Sequence, residues 1–304
     1  MIYVAFSMIC LIFGTTFLAI KWGIDAGLTP FFGGGLRFFL AGLILFCFMV
    51  WRGKASLSLL LRKEMLLTGL GLTFGTFGSL YWAEQYIASG IAAALTATGP
   101  LMILILQTCI LHQKSKVSSF VGCTIGFAGV VILLLPALTT NQGGFLWIVA
   151  CATVLMGEVF YAGGTLYLKQ VMPRFQNVSP VALNAVQMMY GGAGILTVSL
   201  CTEDIHLNVL LQPHAIYSLI YLIVIGSMVA HTLYYWLVVK TTPLFPSTWL
   251  YISPIIAIGL GMVIYNEPIS WNMLVGVLII ITGLVLVNAS ALRQLFTRTR
   301  SIAS

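Results

Sequence analysis

The sequence predicts an all-α membrane protein: ten transmembrane helices forming two inverted five-helix repeats around a central cavity. Three observations lead there. Hydrophobic residues make up 60% of the 304-residue chain and charged residues 7%, against roughly 25% charged in an ordinary soluble domain. The apolar residues gather into runs long enough to cross a bilayer. The chain also repeats itself at a constant offset of 154 residues: Tyr81-Trp82 recurs as Tyr235-Trp236, Pro100 as Pro254, Ile110 as Ile264, Gly122 as Gly276, Gly129 as Gly283 and Val131 as Val285.

A spanning helix needs about 20 predominantly apolar residues. The stretches 2–20, 31–50, 66–86, 91–111, 118–136, 146–168, 181–201, 215–238, 246–265 and 271–290 meet that need. Runs such as Val130-Val131-Ile132-Leu133-Leu134-Leu135 lack the alternation of a barrel strand, so the stretches read as helices. No basic residue precedes the first stretch and no small-residue cleavage site follows Lys21-Trp22, so it reads as helix 1 and not as a signal peptide. The divisions are a first repeat at 1–137, a second at 144–290 and a cytoplasmic tail at 291–304.

The net charge of +7 is topological. With the N-terminus in the cytoplasm, the inside loops hold Arg52, Lys54, Arg62 and Lys63, then Lys114 and Lys116, Lys169 and Arg174, Lys240, and finally Arg293, Arg298 and Arg300. Lys21 sits at an outer end and Arg37 within helix 2. This distribution places both termini in the cytoplasm, and a basic charge so divided gives no surface for nucleic acid. Five helices per half then make the second copy enter the membrane from the opposite side. The front of each half matches with small changes of offset: Leu28-Thr29-Pro30 onto Val178-Ser179-Pro180, Gly42 onto Gly192 and Lys21 onto Lys169. Inverted repeats that rock about a midplane site are the geometry of alternating access.

The six cysteines lie in or at the ends of apolar spans, with no CxxC and no His at ligand spacing, and read as small packing residues, not as a metal or redox site. Gly33-Gly34-Gly35 has no adjoining strand and no Lys-Ser or Lys-Thr pair, so it is not a phosphate loop. No metal or cofactor is expected.

With these features in place, the chain resembles the EamA-type transporters of the drug/metabolite transporter superfamily. Phe13-Gly14-Thr15-Thr16-Phe17-Leu18-Ala19-Ile20-Lys21 is similar to that family's W-G-S-N-F-x-A-I-K segment, with Phe13 in place of Trp and Thr15-Thr16 in place of Ser-Asn. Tyr86-Ile87-Ala88-Ser89-Gly90-Ile91-Ala92-Ala93-Ala94-Leu95, Pro100, Gly122 and Gly126-Phe127-Ala128-Gly129-Val130-Val131 follow the family's Y-I-S-A-G-x-A-A-L…P…G…L-A-G-V-V. The second half repeats the pattern with Ser253-Pro254, Asn266-Glu267-Pro268, Gly276 and Thr282-Gly283, whereas Gln113 stands in the first half where the second has Glu267. The resemblance implies ten helices with both termini cytoplasmic, a central cavity, residence in a bacterial cytoplasmic membrane, and export of small metabolites, amino acids or drugs.

Charges within spans are the first candidates for a site, because a carboxylate near the midplane costs on the order of 2.5–3.5 kcal/mol. Glu158 lies in the sixth span and shares a helical face with Tyr161, Ala162 and Thr165; it reads as a proton-coupling or cation-binding group, or as a structural hydrogen bond. Arg37 reads as a holder of a substrate carboxylate, a partner of Glu158, or a snorkelling side chain. His231, one turn before Tyr234 and Tyr235, suits proton exchange or an interhelical hydrogen bond. Tyr81, Trp82, Tyr161, Trp249 and Tyr251 lie deep enough to wall a cavity, while Trp22, Phe31, Trp51, Trp147 and Trp271 read as interfacial. Glu84 and Gln85 also read as interfacial. Pro100 and Pro254, symmetric in the repeat, are expected to kink helices 4 and 9 from within.

The expected function is secondary transport of a small organic solute, outward, with proton coupling open. Facilitated uptake is the alternative, and a membrane-embedded lipid-modifying enzyme is disfavoured because the acidic residues and histidines are scattered. The expected partners are the solute and membrane lipids, with monomer or homodimer left open. One buried acid with one buried base suits a zwitterion such as an amino acid; Glu158 alone suits a lipophilic cation.

Overall fold

The computed structural model describes residues 1–112, 117–139, 144–241, 243–265, 271–272, 274–283 and 285–286. Among them the regular structure is helical and no strand occurs. Helix α1 runs Ile2–Asp25 and α2 Pro30–Trp51. Helix α3 begins at Lys63–Gly69, widens into a π turn at Leu70–Gly75 and resumes at Thr76–Ala83. Helix α4 comprises Ser89–Thr96 and Gly99–Cys109, α5 is Val117–Thr139, α6 Phe145–Val171 and α7 Pro180–Thr202. Helix α8 runs through Pro213–Tyr221, a π segment at Leu222–His231 and Thr232–Lys240; after a short turn at Leu244–Ser247, α9 spans Trp249–Tyr265. A further apolar helical stretch covers Leu274–Gly283. Six segments among the described residues are long and apolar enough to cross a membrane: Ile2–Asp25, Pro30–Trp51, Ser89–Cys109, Phe145–Phe175, Pro180–Thr202 and Pro213–Lys240. The tail from 291 lies outside the described residues.

The chain marks these boundaries chemically. Pro30, Pro180 and Pro213 open α2, α7 and α8 in the first turn, where a missing N–H costs nothing. Gly27 and Gly53, with φ of 97° and 66°, end α1 and α2. At each, the glycine N–H reaches back three residues and the next N–H five, as from Gly53 to Val50 and from Lys54 to Met49. Such a cap needs a left-handed residue, which glycine supplies without strain. The Glu203 carboxylate, from the end of α7, accepts the amides of Phe31 and Phe32 at 2.8 and 2.9 Å and so caps α2.

The expected interior kink at Pro100 takes another form. The helix breaks at Ala97–Thr98, and Pro100 is the second residue of the segment that follows. A proline there starts a helix and removes no bond from one. Pro254 falls within α9, and its side chain lies outside the described ones.

Packing turns on small residues. Helix α2 lies against α7, α1 against α9 and α8, and α6 against α3 and α4. A Cβ on Gly42 would stand 2.6 Å from the Ala185 carbonyl oxygen and 2.8 Å from the Met189 nitrogen, while one on Gly192 would strike the Phe39 nitrogen. Without a hydrophobic force between helices in lipid, such close backbone approach is what holds them. Two lysines reinforce the helix ends. Lys21 donates to the Glu84 carbonyl at 3.2 Å, and Lys169 donates to those of Val238, Val239 and Thr241 at 3.2, 3.3 and 2.8 Å, satisfying carbonyls that a helix end leaves free.

Candidate functional site

A narrow cavity of about 30 Å³ lies within the bundle, walled by α1, α3, α4, α6, α7, α8 and α9. Most of its wall is aromatic or aliphatic, including Phe13, Phe17, Phe77 and Leu250. Rings pack against one another around it: Phe13 on Trp249 with centroids 4.3 Å apart, and Tyr161 beside Tyr234 at 5.9 Å.

Into this apolar space come a few polar groups. Glu158, only 2% exposed, and Tyr161 arrive one turn apart on α6, as their spacing predicts. Thr165, on the same face, is bonded to the Tyr234 hydroxyl at 3.1 Å. Helix α4 approaches Glu158 closely because residue 99 is a glycine: a Cβ there would collide with Glu158 Oε2 and stand 2.7 Å from Leu250. His231 also lines the cavity, its ring edge-on to Phe13, Phe38 and Phe77 at 5.0, 5.3 and 5.1 Å. Among the described residues, the buried side-chain atoms Glu158 Oε2 and His231 Nε2 have no hydrogen-bond partner, and Tyr161 Oη, Tyr235 Oη and Trp249 Nε1 make none of good geometry, Tyr161 lying loosely against Tyr234 and Trp249 and Tyr235 against Thr68.

Arg37 stands behind this wall. It is fully buried, donates from Nε to Ser227 Oγ at 2.8 Å and from Nη1 to the Tyr81 hydroxyl at 3.3 Å, and lies 4.6 and 5.4 Å from the ring centroids of Phe38 and Phe77. It forms no ion pair with Glu158, so that pairing does not describe it. Its Nη2 has no hydrogen-bond partner among the described residues and lies 3.0 Å from where a Cβ on Gly226 would be.

Of the expected site residues, Glu158, Tyr161, His231 and Trp249 come together at the cavity. Tyr81 instead supports Arg37 and packs on Gly34. Trp82 turns away from the cavity into a lateral groove with Phe31, Phe74 and Phe160; adjacent helical residues point about 100° apart, so Tyr81 and Trp82 cannot share a face. Tyr251 falls within α9, but its side chain lies outside the described ones. Glu84, expected at the interface, is fully buried. Unforeseen as site residues are Tyr235, Asn184 and Gln187, all lining the cavity. Tyr235 follows His231 by four residues and so shares its side of α8, a signal present in the spacing.

The family model for EamA-like transporters matches residues 1–135 and again 147–289. The chain belongs to the EamA-like transporter family. Its relatives include the inner membrane transporter YedA of Escherichia coli K12, 28% identical over 86% of this chain and 81% of that protein. The transporter YoaV of Bacillus subtilis is 23% identical over 91% and 92% of the two chains. Protein PecM of Dickeya dadantii is 28% identical over 74% and 72%. A solved crystal structure superposes on 96% of this chain and 97% of its own with a TM-score of 0.69 at 17% identity, a likeness of fold. This EamA protein is therefore a multi-pass membrane protein of the drug/metabolite transporter superfamily, and the ring-walled cavity is the candidate site of a transporter.

Proposed function

We propose that this EamA protein is a secondary transporter, without catalytic activity, that exports a small organic solute by alternating access and binds it in the central cavity. The observation that carries the reading is the set of five buried side-chain atoms, from Glu158, Tyr161, His231, Tyr235 and Trp249, gathered around one ring-walled space without a well-formed hydrogen bond among the described residues. Buried polar groups are ordinarily paired. A site that must take up and release a solute keeps its binding atoms free for it, in an otherwise apolar pocket. The fitting cargo has an apolar or planar body for the rings and a donor for Glu158.

The proposal extends to ten spans in two inverted repeats, 1–137 and 144–290, in a bacterial cytoplasmic membrane with both termini inside. Contacts that exchange when the halves are exchanged support it. Arg37 aligns with Gln187 and Thr73 with Ser227; Arg37 bonds Ser227 at 2.8 Å and Thr73 bonds Gln187 at 2.9 Å. Lys21 aligns with Lys169 and Glu84 with Val238, and each lysine bonds the matching carbonyl at 3.2 Å. Gly42 meets Met189 and Gly192 meets Phe39, the same pair of places in opposite order.

The test starts from metabolites that differ between cells lacking and cells overproducing the protein. Export predicts accumulation inside the lacking strain; accumulation outside would make the protein an uptake permease. With the solute in hand, proteoliposomes of Glu158→Gln should fold normally and lose solute-driven proton movement. Wild-type rate and pH dependence in that variant would remove Glu158 from the mechanism.

A further inference from the structure

Away from the cavity, the loop joining α2 to α3 meets the loop joining α6 to α7 in a polar recess of about 460 Å³, open to solvent. Its walls carry Lys54, Arg62 and Arg174, with Ser56, Ser58 and Asn177 beside them. Glu64 is the acid there, and it is already engaged by Arg174 at 3.2 Å. Lys54 and Arg62 have no such engagement with Glu64, and the recess is left with an excess of positive charge.

This recess is built, not draped. The left-handed Gly53 turns Lys54 back over the end of α2. A short 3₁₀ helix, Leu57–Leu61, follows, with Leu59 buried beneath it. The Tyr190 hydroxyl of α7 donates to the Leu60 carbonyl and fixes that helix to the bundle. Around the same loop Trp51, Leu57 and Leu61 are 78%, 67% and 88% exposed. Apolar side chains so exposed beside a cationic recess belong where hydrocarbon and headgroups meet.

The repeat supplies a comparison. Leu57–Leu61 recurs as the 3₁₀ helix Leu207–Leu211. There Asp204 and Gln212 stand in place of Lys54 and Arg62. The scaffold therefore does not require the cations.

We propose that the recess formed by Lys54, Arg62 and Arg174 binds the phosphate headgroup of an anionic phospholipid, with the acyl chains lying along Trp51, Leu57 and Leu61. The ligand chemistry is a phosphodiester held by two or three cations, with serine and asparagine donors completing the shell. A soluble phosphate would offer the same charge without the chains.

The test uses full-length protein in neutral detergent and follows its melting temperature on addition of phosphatidylglycerol, phosphatidylcholine or sodium phosphate. Phosphatidylglycerol alone should raise it. In Lys54→Gln/Arg62→Gln the apparent affinity for that lipid should fall by roughly 5-fold per lost charge, about 25-fold in all. The charge-preserving Lys54→Arg/Arg62→Lys and Lys240→Gln, at a lysine that does not line the recess, should respond as wild type. Equal stabilisation by phosphatidylcholine, an undiminished response in the Lys54→Gln/Arg62→Gln protein, or an equal effect of sodium phosphate would each overturn the proposal.

Discussion

Arg37 is held inside the bundle by Ser227 from α8, by Tyr81 and the ring of Phe77 from α3, and by the ring of Phe38 beside it on α2. Tyr81→Phe should therefore lower the melting temperature by the equivalent of about 1 kcal/mol, the usual worth of an interhelical hydrogen bond in a membrane; an unchanged melting curve would show the bond to be idle. At the water interface, Glu64 gives a pH prediction. Its own backbone amide, and after it the Arg174 guanidinium, hold its carboxyl below the ordinary 4.5, against the desolvation that pushes it upward. A depressed acid contributes stability above its unfolded value and loses it as pH falls through the folded one. The melting-temperature gap between wild type and Glu64→Gln should thus be constant at neutral pH and close only below about pH 4; a gap that closed near neutrality would contradict it. Residue by residue, the titratable members of the site were legible, because Glu158 and His231 are too costly in an apolar span to be incidental. The partners of Arg37 were not, since they depend on how α2, α3 and α8 are rotated about their own axes.

Among elements, the crossing of α2 and α7 is the least tolerant place in the fold. Gly192→Ala should force these helices apart at a cost of about 1–3 kcal/mol, whereas Gly163→Ala, with nothing within 4 Å of the added carbon, should be neutral. Equal stability of the two variants would count against tight packing as the cause. Gly99→Ala is the parallel case beside the cavity: it should displace Glu158 and weaken solute binding more than it weakens folding, read as a rise in KM against a small change in melting temperature. Helix lengths followed directly from the apolar runs, because bilayer thickness sets them. The break at Ala97–Thr98 and the wide turns in α3 and α8 did not, because hydropathy measures transfer into lipid and is blind to which carbonyl an amide chooses.

At the scale of the molecule, the repeat and the class of protein were both readable from residue offsets and composition, and the family comparison agrees with the class. The proposed inversion makes a separate prediction. The two 3₁₀ loops should face opposite sides, so in a cysteine-free background Lys54→Cys should react with a membrane-impermeant maleimide only after permeabilisation and His206→Cys in intact cells; labelling of both from one side would refute inverted repeats. The π segments at Leu70–Gly75 and Leu222–His231 occupy matching places in the two halves, and their consequence is one of stored length. A wide turn holds more chain than an α turn needs. Tightening it would lengthen its helix by about 1.5 Å per residue released and swing everything beyond by about 100°. In α8 the residues carried by that swing begin with Thr232 and include Tyr234 and Tyr235. Each wide turn is thus a reserve of chain at the cavity's edge, which a change in the hydrogen-bond ladder would convert into a rotation of the residues that line it.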